Sequence, residues 1–338
     1  MLKNQVEISS KDRWLASAPP NIALIKYMGK KPQLRNVPTN SSLSYTLDHL
    51  RTYVELEVGD FSKDDWVLLE SSLLMNFAVE DQLFGLELSE KGKIRYLEFF
   101  SFLKKKMNID NYNFIVRSNN NFPGDCGIAS SASSFAALTV ATYSAAKTLN
   151  PEIDLSLDDL AHLSRQGSGS SCRSFYSPWT QWEESEIYQI DFPYKSLLHQ
   201  VYVVESEKKN VSSSEAHKRI TSSLLNQGRE ARAEERLKNL CRSLKQLSWK
   251  EAFCIVWAEF WDMHALFETS HPPFGYMSKG SLRVLTCLRK HWEEFDDGPI
   301  VTMDAGPNIH CLYRDDQRKM AEKIQKELKD FSVYKNYE

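Results

Sequence analysis

Residues 120–137, NNFPGDCGIASSASSFAA, have the makings of a phosphate-binding helix start. A Pro/Gly turn runs into serines and then into an Ala/Phe pattern of helical type. The first N–H groups of a helix lack intrahelical partners, and the macrodipole behind them favours an anion. Gly124 and Gly127 let the backbone bend and approach closely. Ser130, Ser131 and Ser133 add hydroxyls for phosphate oxygens or Mg²⁺. Taken alone, the stretch reads equally well as a Ser-capped helix.

Three further blocks carry groups that could work on such an anion. In PPNIALIKYMGKK, residues 19–31, Lys26 and Lys30 stand four apart with Tyr27 between them, and PTNSSLSYTL follows at 38–47. Two ammonium groups beside an apolar strand suit an anionic substrate, and they also suit an ordinary surface. In SRQGSGSSCRSFY, residues 164–176, Gly167 and Gly169 loosen the backbone while Ser168, Ser170 and Ser171 offer hydroxyls. Arg173 there brings a planar, permanently charged fork that fits carboxylate or phosphate. In VTMDAGPN, residues 301–308, Asp304 ends an apolar run before a tight turn. That is a place for a general base, and equally for an Asp bonding its own turn. No Gly-Lys-Ser/Thr ending is present, so none of the blocks is a Walker A loop.

The elements that must hold these groups are legible as periodicities. Tyr53 to Val58 alternates as a half-buried strand. Leu83 to Lys106 has helical spacing, Phe114 to Val116 is a short strand, and Ser131 to Ala146 is a helix rich in small residues. Ser156 with Asp159 caps a helix ending near Arg165. Ile187 to Ile190 and Val201 to Glu205 are strands. Thr221 to Leu247 is charged and helical in composition. Ser248 with Glu251 forms a capping-box pattern before Ala252, Phe253, Val256, Trp257 and Phe260 on one face. Gly280 to Trp292 and Met320 to Leu328 are helical, and Ile300 to Met303 and His310 to Tyr313 are strands. His264 lies on an apolar helix and reads as a core residue.

The bulk numbers narrow the class. With 338 residues and 42% apolar residues the chain can bury a large core, in one large or two ordinary domains. Lys plus Arg is 42 against 45 for Asp plus Glu, so nucleic-acid binding is not expected. No apolar run suggests a membrane span, and the first residues, MLKNQVEISSKDRW, lack a secretory pattern. Cys126, Cys172, Cys241, Cys254, Cys287 and Cys311 are scattered without a CxxC pair. Neither a zinc site nor a disulfide framework is expected, and reduced thiols fit a cytoplasmic protein.

The ordered set NIALIKYMGK, PTNSSLS, FPGDCGIASSASSFAAL, SRQGSGSSCRS, VSSSEAHKRI and TMDAGPN resembles the diphosphomevalonate decarboxylase family of the GHMP kinase superfamily. The resemblance runs from residue 16 to 314. The Ser-rich loop alone would indicate only the superfamily. The Lys-Tyr-x-Gly-Lys, Gly-Ser-Gly-Ser-x-Cys-Arg-Ser and Asp-Ala-Gly-Pro-Asn blocks resemble the decarboxylase branch.

That resemblance implies an α+β, two-lobed GHMP kinase fold. Residues 1–195 would form an ATP-binding N-terminal lobe similar to ribosomal protein S5 domain 2. Residues 196–338 would form a helix-rich α/β C-terminal lobe. It implies ATP-dependent decarboxylation of mevalonate 5-diphosphate to isopentenyl diphosphate, with ATP and Mg²⁺ as cofactors, by a cytoplasmic homodimer. Asp304 would act on the 3-hydroxyl proton, Lys26 would keep Asp304 ionised, and Arg173 would hold the substrate carboxylate. Tyr27, Lys30, Ser168, Ser170 and Ser212, with Ser213 beside it, would hold the rest of the substrate. Gly127, Ala129, Ser130, Ser131 and Ser133 would cradle ATP, with Ser131 nearest Mg²⁺. Relatives acting on mevalonate monophosphate or phosphorylating only the 3-hydroxyl share most of these residues, and a non-catalytic metabolite sensor would share the fold. Three departures stand out. Asp125 places an acid in the phosphate loop, Met28 replaces a common Trp and should loosen packing behind Lys26, and Ser177-Pro178 replaces a Gly pair.

Overall fold

The computed structural model describes residues 7–10, 12–31, 36–85, 88–123, 130–204 and 211–337. They divide into two compact units that interleave along the chain. The first draws on Met1–Asn21, Thr46–Gly124 and Ala129–Ser177, and the second on Ile22–Tyr45, Asp125–Ile128 and Pro178–Glu338.

The first unit is a sheet covered by helices. Its strand order is Glu7–Ser10, Arg13–Ala18, Thr52–Gly59, Asn113–Asn120, Asp65–Leu68. Pairing is antiparallel except at the last position, where Trp66 runs parallel opposite Val116. The alternation from Tyr53 to Val58 is a strand as expected, but its polar face is not open. Glu55 is fully buried because Arg13 and Arg117 cover it with ion pairs of 3.3 and 3.1 Å. The small residues of the helix Ser130–Leu149 allow close approach to this sheet. Ala132, Ala136, Ala137 and Ala141 are all buried, and Trp14 Nε1 donates to Thr148 Oγ1 at 3.0 Å. The helix expected from Leu83 begins only at Glu90, where Ser89 accepts the Gly92 N–H as a cap. Leu157–Gly167 carries the expected Ser156/Asp159 capping box.

The second unit holds two four-stranded sheets. One runs Ile300–Thr302, Ile309–Tyr313, Leu198–Val203, Ser332–Lys335, and the other Asn21–Ile25, Ser42–Thr46, Trp179–Glu183, Glu186–Gln189. The helix Trp249–Glu268 packs against Ile300–Thr302 and against the helix Arg229–Lys245. The charged stretch from Thr221 is not one helix. Two 3₁₀ turns, Ile220–Ser222 and Leu224–Asn226, precede Gly228 at φ +74°, and the α-helix starts after it. Ser248 stands at the N-cap position but makes no side-chain cap. Its own N–H folds back onto Ser243 O at 2.9 Å. Ser278 caps Lys279–Phe295 with a capping box formed with Ser281. Among the described residues no helix is long and apolar enough to cross a membrane.

Candidate active site

Asp304 follows the buried strand Ile300–Thr302, and Lys26 follows the buried strand Asn21–Ile25. Lys26 is the first residue past its strand, and Asp304 the second past its own. Lys26 Nζ donates to Asp304 Oδ1 at 2.7 Å and to Ala23 O at 2.7 Å. The pair is asymmetric. The Lys26 side chain is 2% exposed and that of Asp304 26%, so the ammonium is sealed while the carboxylate is reachable. Thr302 Oγ1 donates to the same Ala23 carbonyl at 3.2 Å, tying the two strand ends together. An ammonium at this distance favours the charged carboxylate.

The turn is braced from behind. Gly306 N donates to Asp304 O at 2.8 Å, and His264 Nε2 lies 3.2 Å from that oxygen. A carbonyl only accepts, so Nε2 carries the proton. Burial and the neighbouring Lys26 ammonium hold the His264 pKa down to about 3, which keeps the ring neutral. His264 is therefore a core residue, as expected, with a specific contact to the site that its apolar neighbours do not reveal.

Lys26 is held through its backbone. Its N–H donates to Glu259 Oε1 at 3.0 Å, and its carbonyl accepts from Asn40 Nδ2 at 3.0 Å and Arg229 Nη2 at 3.5 Å. Glu259 is fully buried and pairs with Arg229, and with Arg236 at 3.0 Å. Asp262, one helical turn on, takes Arg229 and Arg232 at 2.9 Å and Arg236 at 2.6 Å. Burial pushes the Asp262 carboxyl up, and the three guanidiniums more than offset it, leaving the pKa lowered. Sequence reasoning missed this cluster. Its signal was present: two acids three apart inside an aromatic helix, and Arg229, Arg232 and Arg236 recurring along another.

Tyr27 packs its ring 4.8 Å from Trp182 and 4.6 Å from His217. His217 Nδ1 accepts the Gly29 N–H at 3.0 Å, and burial with the nearby Lys30 charge lowers its pKa to about 3. Gly29 is required here: its φ is +109° and a Cβ would stand 2.3 Å from Thr39 Oγ1. Lys30 Nζ donates to Asn36 Oδ1 at 2.8 Å. Met28 does not loosen the packing. It is buried in an apolar cluster with Met263, Leu266, Phe267 and Ala305, next to Asp304 in the chain. Ser212 is exposed and caps the helix Ser213–Arg219 by accepting from Glu215 N at 3.2 Å; Ser213 is exposed beside it.

In the first unit, Arg173 is buried on the 3₁₀ helix Gly169–Phe175 and donates from Nε to Asn21 Oδ1 at 3.0 Å. Asn21 Nδ2 in turn donates to Ser170 O at 3.1 Å and Ser174 Oγ at 2.9 Å. Ser168 and Ser131 hydroxyls stand 3.4 Å apart, Ser131 exposed and Ser168 mostly buried. Ser130 is half-buried. Ser133 points inward, bonded to Thr52 Oγ1 at 2.6 Å and Ser130 O at 3.1 Å. Gly127, Ala129 and Asp125 lie outside the described residues. Gly167 has a packing reason, since a Cβ there would fall 2.1 Å from the Phe135 ring. Ser177 Oγ donates to Asp48 Oδ2 at 2.7 Å, a turn contact of its own.

Residues 18–191 match the model of the diphosphomevalonate decarboxylase-like N-terminal domain, and residues 200–337 that of the mevalonate 5-diphosphate decarboxylase C-terminal domain. The chain belongs to the diphosphomevalonate decarboxylase family. Its similarity to the Rattus norvegicus diphosphomevalonate decarboxylase is 30% identity, over 86% of this chain and 74% of the relative. Among solved structures, the mevalonate diphosphate decarboxylase of Legionella pneumophila is 43% identical with a TM-score of 0.87, covering 95% of this chain and 100% of that one. The Enterococcus faecalis decarboxylase is 29% identical with a TM-score of 0.80, covering 96% and 97%. A further structure, MDDEF in complex with MVAPP, AMPPCP and magnesium, is 29% identical with a TM-score of 0.81, covering 96% and 99%. The α+β GHMP kinase fold of these decarboxylases is the fold of this chain, as the motifs implied.

Proposed function

We propose that this family member decarboxylates mevalonate 5-diphosphate in an ATP-dependent reaction, giving isopentenyl diphosphate, ADP, phosphate and CO₂. The observation that carries this reading is the Lys26–Asp304 pair at 2.7 Å, in a chain whose two halves both match decarboxylase domains. A tertiary alcohol is a poor nucleophile, and hydroxide is a poor leaving group. In this reading Asp304 accepts the 3-hydroxyl proton as that oxygen takes the γ-phosphoryl group. The Lys26 ammonium keeps Asp304 ionised and offsets charge on the phosphoryl group in transfer. Phosphate departure then leaves positive charge at C3, and loss of CO₂ from the neighbouring carboxymethyl group supplies the electron pair of the new double bond.

Arg173 takes the substrate carboxylate in the same reading, its fork oriented by Asn21. Tyr27, Lys30, Ser168, Ser170 and Ser212 hold the substrate's anionic ends. The helix start at Ser130 suits the ATP phosphates, together with Gly127, Ala129 and Ser133. Mg²⁺ neutralises phosphate charge when bound, and the exposed Ser131 hydroxyl is a described oxygen donor that fits it. A lobe boundary near residue 195 falls in the gap between the two family matches. A cytoplasmic homodimer completes the reading. The unpaired state of Cys172, Cys241, Cys254, Cys287 and Cys311 supports a reducing compartment, and sedimentation velocity tests the dimer.

The test is an assay of the purified protein with Mg-ATP and (R)-mevalonate 5-diphosphate, following ADP and CO₂ together. Equal release is expected. ADP without CO₂ would mark a 3-kinase, and release of neither product would overturn the reading. Arg173→Gln should lower kcat/KM for the substrate by at least about tenfold while ATP affinity holds, a loss of about 1.4 kcal/mol or more in transition-state binding. Unchanged efficiency would remove Arg173 from the site.

A further inference from the structure

The second unit carries another cluster of chemically competent side chains, with no member in the assigned site. The helices Lys279–Phe295 and Arg318–Glu327 border a surface cavity of about 560 Å³. Cys287 and His291 stand four apart on one face of the first helix, and Glu327 ends the second. Cys287 Sγ is 3.6 Å from Glu327 Oε2, and His291 Nε2 is 3.0 Å from the same oxygen. The ligand atoms of all three lie within 4.8 Å of one another.

Those spacings are close to what a metal needs. Tetrahedral zinc with bonds of about 2.0–2.3 Å sets its ligand atoms about 3.3–3.8 Å apart. The separations of 3.0 and 3.6 Å lie near that range, and none of the three exceeds 4.8 Å. His291 is buried and stacked on Phe295 at 5.5 Å, which fixes the ring. Glu327 is 43% exposed, so the cluster opens to solvent on one side. Arg283 and Lys290 also line the cavity and oppose a cation. Arg283 is paired with Asp330 at 2.7 Å, and Glu294 adds a further negative charge.

We infer that Cys287, His291 and Glu327 bind one Zn²⁺, with water completing the tetrahedron. Thiolate, imidazole and carboxylate together select zinc over magnesium or calcium. Without a metal the Cys287 thiol donates to Glu327 Oε2. Binding forms the S–Zn bond, and the thiol proton leaves to solvent. The proton on His291 Nε2 moves to Nδ1, which has no other partner among the described residues. The ion ties the two helices together.

The experiment titrates metal-free, full-length protein with Co²⁺, then with Zn²⁺ in competition with a chromophoric chelator. One equivalent of Co²⁺ should bind and give a thiolate charge-transfer band that Zn²⁺ removes. Cys287→Ser should abolish the band and weaken Zn²⁺ binding by more than about tenfold. Glu327→Gln should keep the band and weaken binding, and Cys254→Ser, at an exposed cysteine on the helix Trp249–Glu268, should change neither. Absence of the band in the unsubstituted protein would overturn the assignment. So would its survival in Cys287→Ser, or unchanged zinc affinity in Glu327→Gln.

Discussion

Two cation–carboxylate pairs in the second unit use similar groups to different ends. Arg229 and Glu259 are both sealed, at 2% and 0% exposure, and each makes additional bonds to the other members of a cluster. Lys26 is equally sealed, but its partner Asp304 keeps a quarter of its surface. A pair sealed from solvent on both sides can only hold shape. A pair with one open face can hold shape and still exchange a proton. The two are joined, because Glu259 and Arg229 take the N–H and C=O that flank Lys26. The rigid pair therefore positions the reactive one.

The largest effect should come from the open pair. Asp304→Asn keeps the size of the side chain and removes the base, so turnover should fall by about 10²–10⁴-fold or more. ATP affinity should hold, and the unfolding midpoint should drop, though by less than for the sealed pair, because the buried Lys26 ammonium loses its counter-charge. Near-normal turnover would show that the open carboxylate does no chemistry and would collapse the distinction between the pairs.

The sealed pair should answer through stability. Glu259→Gln leaves buried guanidiniums without their counter-charge, and should cost about 3–5 kcal/mol in urea unfolding. At substrate saturation kcat should also drop while the KM for ATP holds, because Lys26 loses its brace. A loss under about 1 kcal/mol would mean that the cluster is not structural.

Acid should reach the brace next. Burial holds His264 and His217 down to about 3, against 6.5 as the ordinary value, with Lys26 and Lys30 adding to the effect. Between those values the unfolded chain binds protons that the folded chain refuses. Their contribution is full above pH 6.5 and declines as pH falls toward 3, by at most about 1.4 kcal/mol per pH unit for each histidine. Urea midpoints between pH 7 and 4 should show this, and His264→Gln should lessen the slope by about one proton. An unchanged slope would show that His264 is not held neutral.

The smallest effect should lie at the rim. Arg232 is 34% exposed, and Asp262 keeps Arg229 and Arg236 without it. Arg232→Gln should cost no more than about 1 kcal/mol, measured in the same urea titration. A loss matching Glu259→Gln would show that this partly exposed arginine contributes as much as the sealed pair.

The chain's own order of residues determined much of this. Periodicity and caps indicated helices over 131–146, from Ser156 to near 165 and over 280–292, and strands over 53–58 and 310–313, each within a few residues of the observed element, because those signals are local. The polar blocks singled out Lys26, Asp304 and Arg173 as candidates, and only the ordered set of motifs favoured them over surface and turn readings. Helix starts were less legible. Ser248 looked like a cap but makes no cap bond, and the helix from Leu83 begins at Glu90, since backbone contacts elsewhere in the chain decide such ends.

Tertiary structure decided which polar residues face one another. Lys26 and Asp304 are far apart in the chain and 2.7 Å apart in space, and Glu55 became interior only when two arginines from other strands closed over it. Met28, expected to loosen its surroundings, fills an apolar cluster assembled from other helices. Burial, and with it the neutrality of His264 and the asymmetry of the Lys26–Asp304 pair, is a property of packing between distant segments. No local pattern encodes it, because solvent exposure is set by what else arrives at the same place.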